Sequence, residues 1–351
     1  MHIRWLTIIG LWALLAWPGS PATAATGLDR RIAEATAYLD LPLQLDAALV
    51  VDGTYCGVIA PTGPADAVLR FHAASITKLL TAIVVLSLEE DGRLDIDDPV
   101  ADYVATFEDS PITIAQLLTH TSGLRDRQRA RGRQTAAEVG DYIEALAAEP
   151  LSSEPGARWH YADAGYNLLG IVIESASGLP YVDAVVERVL EPTGMRDSTF
   201  FPSTLPDDDR VTAFSRRGRA FEHPWDRAFL PSSGLQTTAA DLTRLAGSIL
   251  DIAAGKESGI IEPKTLARMT AIQVATEWPG IAQGYGWQIA GTPVGRQWRH
   301  AGGEAGFESL LTLYPDQGLG IAVMGNRADW PRFAFERAVR DAVIESGETC
   351  Y

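Results

Sequence analysis

A serine followed three residues later by a lysine, Ser75-Ile76-Thr77-Lys78, opens a long apolar stretch from Ala73 to Leu88. On a helix that spacing places both side chains on one face, within contact distance. A serine at a helix start also sits where backbone N–H groups and the helix dipole favour developing negative charge. A lysine in so apolar a helix is unfavourable unless paired, and burial lowers its pKa. The pair therefore reads as a nucleophile with its proton acceptor, the chemistry of covalent catalysis. S-x-x-K alone is a weak pattern. Taken by itself it is an N-cap serine beside a lysine whose amine reaches solvent.

Two further segments carry matching chemistry. Tyr161-Ala162-Asp163 lies in a loop just before a helical segment near Tyr166, and His300-Ala301-Gly302-Gly303 closes a predicted strand. The first offers a phenol and a carboxylate. The second offers an imidazole and two glycines, which let a substrate backbone approach the strand closely. Asp163 also has a bland role open to it, capping a helix that begins near Gly165. His120 reads as scaffold.

These three ordered motifs resemble the serine β-lactamase and penicillin-binding-protein superfamily, and its class C-like branch in particular. Ser75–Lys78 looks like its S-x-x-K, Tyr161–Asp163 like its Y-x-N, and His300–Gly302 like the His version of its K-T-G strand. Leu117–Leu124, Glu191–Met195, Gly234–Asp241 and Gly306-Phe307 look similar too, so the resemblance runs from about Leu45 to Asn326. It implies that Ser75 forms an acyl-enzyme, with Lys78 and Tyr161 sharing proton transfer. The backbone N–H groups of Ser75 and Gly303 would form the oxyanion hole, and His300, Gly302 and Asp163 would line the substrate.

Two departures bear on substrate. Asp163 stands where the family pattern has Asn, and His300 stands where β-lactamases usually have Lys; both resemble the looser relatives, carboxylesterases, D-amino-acid peptidases and amidases. The resemblance thus implies a secreted serine hydrolase acting on a small-molecule or short-peptide ester or amide. The alternatives are a true β-lactamase or D-Ala-D-Ala carboxypeptidase, or a non-catalytic binding protein on the same fold. With Asp163 beside Lys78, its carboxylate would raise the lysine's pKa. Lys78 would then be a fixed positive charge that lowers the pKa of Tyr161. An α/β-hydrolase is excluded more simply, because no G-x-S-x-G occurs in the chain.

The elements that must position these groups follow from periodicity. Leu45–Val51 and Tyr55–Ile59 flank Asp52-Gly53, a hairpin signal. Helical segments are predicted at Thr113–Leu118, Ala136–Ala147, Tyr166–Ser175, Tyr181–Leu190 and Ala239–Ala253. Strands return at Gly286–Ile289, Gln297–His300, Glu308–Tyr314 and Leu319–Met324, and a helix from about Trp330 to Ile344 closes the chain. Strands at both ends with helices between predict an α+β, β-lactamase/transpeptidase-like fold. Its antiparallel sheet is built from both chain ends (about 28–88 and 280–351), flanked by helices. A large, mainly helical insertion occupies about 89–279. A single catalytic domain is expected over 25–351.

Composition sets the outer bounds. The chain has 351 residues and a formal net charge of −16, which argues against nucleic acid or anionic lipid as a partner. Arg4, the apolar run Trp5–Trp17 and the small residues Pro21–Ala25 read as a secretory signal peptide over 1–24. Its removal leaves no stable membrane anchor, and the expected location is periplasmic or extracellular. The two cysteines, Cys56 and Cys350, leave a bridge and two separate thiols equally open. The six histidines show no H-E-x-x-H or paired metal spacing, and no metal or other cofactor is expected.

Overall fold

The computed structural model describes residues 27–39, 44–59, 68–126, 136–221, 226–256 and 259–346. The expected signal peptide and Cys350 lie outside them. The described strands are β1 (Leu45–Val51), β2 (Thr54–Ile59), β3 (Phe71–His72), β4 (Ala213–Phe214), β5 (Ala220–Phe221), β6 (Gln236–Thr237), β7 (Val274–Ala275), β8 (Ala282–Gln283), β9 (Gln288–Thr292), β10 (Gly295–Glu304), β11 (Phe307–Tyr314) and β12 (Leu319–Gly325). The helices are α1 (Gly27–Thr36), α2 (Thr77–Glu90), α3 (Ile114–Leu118), α4 (Ala136–Ala147), α5 (Asp163–Ser177), α6 (Tyr181–Val185), α7 (Glu191–Thr193), α8 (Leu230–Ser233), α9 (Ala239–Ala253), α10 (Pro263–Met269) and α11 (Arg332–Ser346).

One antiparallel sheet of eight strands runs in the order β2-β1-β12-β11-β10-β9-β8-β7. It joins the two chain ends, with Leu49 opposite Ile321 where β1 meets β12. Asp52 and Gly53 both adopt positive φ in the hairpin between β1 and β2, as an Asp-Gly pair does in a tight turn. Every residue of β1 is buried, because both faces of the sheet are covered. Its odd positions Leu45, Ala47, Leu49 and Val51 pack with Ile32 of α1 and Phe335, Val339 and Val343 of α11. Its even positions Ala48 and Val50 face the larger core that holds α2, α5 and α9. That split follows from the two-residue period of a strand.

The α+β architecture expected from sequence is the one observed. Twelve of the fourteen residues of α2 are buried, so Lys78 has no route to solvent along its own helix. Differences concern short elements. The sheet extends to β7 and β8, two-residue strands too short for any periodicity to mark. The segment predicted as one helix over Tyr181–Leu190 is α6 followed by a π-helical turn, Val186–Leu190. α1, absent from the sequence expectation, packs on α11. Cys56 on β2 is disulfide-bonded, and the only other cysteine of the chain is Cys350.

Candidate active site

Ser75 stands on a constrained turn between β3 and α2. Ala74, the residue before it, has φ +49°, a left-handed conformation uncommon for a residue with a Cβ. Such a residue costs about 1–3 kcal/mol and persists only where its surroundings hold it. Here the Ala74 N–H donates to His72 Nδ1 at 3.0 Å, and Thr77 Oγ1 donates to the Ala74 carbonyl at 2.7 Å. Ser309 of β11 donates to the Ala73 carbonyl at 2.7 Å. A 3₁₀ turn, Ala74–Ile76, then leads into α2, leaving Ser75 half-buried while its neighbours are enclosed.

Lys78 lies one turn on and is fully buried. Its three ammonium protons all have acceptors: Ser75 Oγ at 3.2 Å, Asp163 Oδ1 at 2.6 Å and the Ser232 carbonyl at 2.9 Å. Burial alone pulls its pKa down. The charge and hydrogen bond of the Asp163 carboxylate, with a further contribution from Tyr161, outweigh that, and the pKa ends above the ordinary lysine value. These contacts favour the ammonium form of Lys78, opposite to what burial by itself predicts.

Tyr161 presents its ring 5.0 Å from Lys78 Nζ, with its hydroxyl close to Ser75 and Lys78. Burial raises the phenol's pKa by more than the Lys78 charge lowers it, and the net shift is upward. The Lys78 charge lowers the Tyr161 pKa, as expected, but desolvation outweighs it. The His120 ring packs 4.4 Å from the Tyr161 ring, and its Nδ1 accepts the Ala162 N–H at 3.3 Å. Burial, then the Lys78 charge, push the His120 pKa well below its ordinary value and favour the neutral ring.

Asp163 is the first residue of α5, with Ala162 as N-cap and no side-chain capping bond there. Asp126 Oδ1 accepts the Ala164 N–H at 2.9 Å, a capping contact at this helix start. Asp163 Oδ1 accepts from Lys78 at 2.6 Å.

The opposite wall is β10. A Cβ at Gly302 would collide with the Ala73 carbonyl and Ser309 Oγ, so this glycine lets the strand close onto the Ser75 turn. Gly303, by contrast, is exposed and has no neighbour nearer than 3.6 Å to a Cβ. His300 is buried, with Nδ1 3.0 Å from the Ala301 carbonyl and its ring 6.4 Å from Tyr161. Burial and the Lys78 charge push its pKa down to about 3, and it is uncharged at neutral pH.

The family profile described as Beta-lactamase matches residues 45–345. This chain belongs to the beta-lactamase family. As a member it is a serine hydrolase, the class of enzyme found among its relatives. It is 29% identical to the D-alanyl-D-alanine-carboxypeptidase/endopeptidase AmpH of Escherichia coli (strain K12), over 80% of this chain and 76% of that protein. It is also 29% identical to Esterase EstB of Burkholderia gladioli, over 72% of this chain and 76% of that one. The fold matches the crystal structure of a D-stereospecific amidohydrolase from Streptomyces sp. with TM-score 0.73 and 24% identity, covering 92% of this chain and 98% of that chain.

Within this beta-lactamase-family fold, Ser75, Lys78, Tyr161 and Asp163 meet directly, with His300, Gly302 and Gly303 on the facing strand. Sequence reasoning missed Asp126, the Ser232 carbonyl and the contact of His120 with Tyr161. None has a local signature. Ser232 lies 154 residues from Lys78, and Asp126 lies 38 from Ala164.

Proposed function

We propose that the protein is an exported serine hydrolase that cleaves a neutral ester or amide through an acyl-enzyme on Ser75. The observation that carries this reading is the Lys78 ammonium bound at once to Ser75 Oγ and to Asp163. In acylation Ser75 Oγ bonds to the substrate carbonyl carbon, and its proton passes to the Tyr161 oxygen. Tyr161 gives its own proton to the leaving oxygen or nitrogen as that bond breaks. The phenol is neutral before and after, which suits a pKa raised by burial. Lys78 stays charged and stabilises the electron-rich serine oxygen, while the Ser75 and Gly303 N–H groups serve the carbonyl oxyanion. Water then takes the leaving group's place: it yields a proton to Tyr161, whose own proton returns to Ser75.

The similarity to AmpH supports a second reading, a carboxypeptidase or penicillin-reactive enzyme. Against it, His300 carries no charge at neutral pH and Asp163 adds a carboxylate, so this cleft is poorly matched to a substrate carboxylate. The Trp5–Trp17 run and the small residues after it support export.

A fluorophosphonate should add once to the wild-type protein and not to Ser75→Ala, read by intact mass. Turnover of p-nitrophenyl acetate should vanish with the adduct. A full adduct on Ser75→Ala overturns the assignment. Labelling by a fluorescent penicillin without ester turnover moves the reading to the carboxypeptidase alternative.

A further inference from the structure

A groove of about 880 Å³ lies between the loop joining β7 to β8, the edge of β9 and the end of α10. Ile272, Trp278, Ile281, Ile289 and Trp298 give it apolar walls. Its two charged lining residues are engaged elsewhere: Arg296 with Asp316 at 2.6 Å, and Glu277 with Arg158 at 3.8 Å. Five large hydrophobic side chains are exposed among the described residues, and two of them, Ile272 at 66% and Trp278 at 38%, are here. Apolar surface left open in a concavity marks a place where something apolar binds.

Trp278 connects this groove to the candidate catalytic residues. Its ring lies 5.7 Å from that of Tyr161 and 4.8 Å from that of Trp159. The loop tip that carries it is tightly tied. Thr276 Oγ1 donates to the Ile281 carbonyl at 2.6 Å and accepts the Trp278 N–H at 3.1 Å, and the Ile281 N–H donates to the Trp278 carbonyl at 3.1 Å. The indole is thus set in place before any substrate arrives.

We propose that this groove is the subsite for an apolar leaving group, the alcohol or amine half of the substrate. The inference rests on the proton route proposed for Tyr161. That residue delivers its proton to the departing atom, so a groove reached from Tyr161 through Trp278 adjoins the leaving group, not the acyl group. Its occupant is an uncharged aryl or long alkyl group, because the walls offer ring stacking and apolar contact with no unengaged charge.

The test uses acetate esters of ethanol, hexanol and 2-(2-naphthyl)ethanol, alcohols of similar acidity. All form the same acetyl-enzyme, so differences in kcat/KM report acylation alone. The naphthylethyl ester should exceed ethyl acetate by about tenfold or more. Ile272→Glu and Trp278→Ala should each collapse that ratio, with the fold checked by circular dichroism. A ratio near one in the wild-type enzyme overturns the proposal. So does selectivity that instead follows acyl length, ethyl hexanoate over ethyl acetate, and is lost in Ile272→Glu. Should no ester turn over at all, the hydrolase reading fails, and titration calorimetry with 2-(2-naphthyl)ethanol tests the groove separately. Binding weakened by Ile272→Glu then supports it, and no binding overturns it.

Discussion

The N-termini of α5 and α9 use the same parts for different ends. Each helix has fifteen residues, and each receives a carboxylate from elsewhere onto its first backbone N–H groups. Asp126 serves α5 at Ala164, and Asp46 of β1 serves α9 at Ala239, the latter at 2.7 Å. Each also holds a second Asp in its first turn, Asp163 in α5 and Asp241 in α9. The cation decides what this means. Asp241 pairs with Arg244 of its own helix and takes bonds from Ser198 Oγ and the Asp197 N–H, at 2.7 and 2.8 Å. It fixes a loop. Asp163 pairs with Lys78 from another helix, and that lysine touches Ser75. A first-turn carboxylate thereby joins Lys78 and Ser75 in one cluster.

The largest effect should come from removing the cation. Lys78→Ala should lower kcat/KM for an acetate ester by about 10³-fold, the scale of one lost transition-state electrostatic contact. Adding Tyr161→Phe should then cost far less than it does alone, because both act on one proton transfer. A Lys78→Ala enzyme that keeps most of its rate makes α5 no more than a second α9.

Asp46 sharpens the contrast from the structural side. It is 9% exposed, no cation pairs with it among the described residues, and burial raises its pKa to about 6, against the Ala239 N–H bond that lowers it. Its folded-state pKa exceeds the unfolded 3.8, so the stabilising protonated form is fully present below about pH 4 and lost as pH rises through about 6. Asp46→Asn keeps an acceptor for the helix without a buried charge. It should be more stable than wild type at pH 7 by up to about 3 kcal/mol, a gain that shrinks toward pH 4. Urea denaturation at both pH values measures it, and a gain independent of pH contradicts the assignment.

The smallest effect is expected at Asp163. Asp163→Asn removes what holds the Lys78 pKa up, leaving burial to pull it down. Lys78 then loses its charge at lower pH, and the alkaline limb of kcat/KM should move to lower pH. A pH–rate profile that stays in place while only thermal stability drops would make Asp163 a purely structural residue.

Much of the fold was legible because its signals are local. The Asp-Gly hairpin and the helical runs Thr113–Leu118 and Ala239–Ala253 all report on neighbours a few residues apart. The S-x-x-K spacing was equally legible, since one helical turn sets it. Asp163 was half legible. Its meeting with Lys78 was implied by the motif, but its position as first residue of α5, already capped by Asp126, was not.

The sequence by itself determined which groups could react: a serine and a lysine on one helix face, a tyrosine, a histidine, and glycines on a strand. Only the tertiary structure decided their protonation. Burial and the Asp163 carboxylate act on Lys78 in opposite directions, and only the 2.6 Å contact made across 85 residues lets the carboxylate win. The same packing encloses the Tyr161 phenol until desolvation outweighs the cation beside it. A pKa depends on distance and solvent access, and neither is written in residue order.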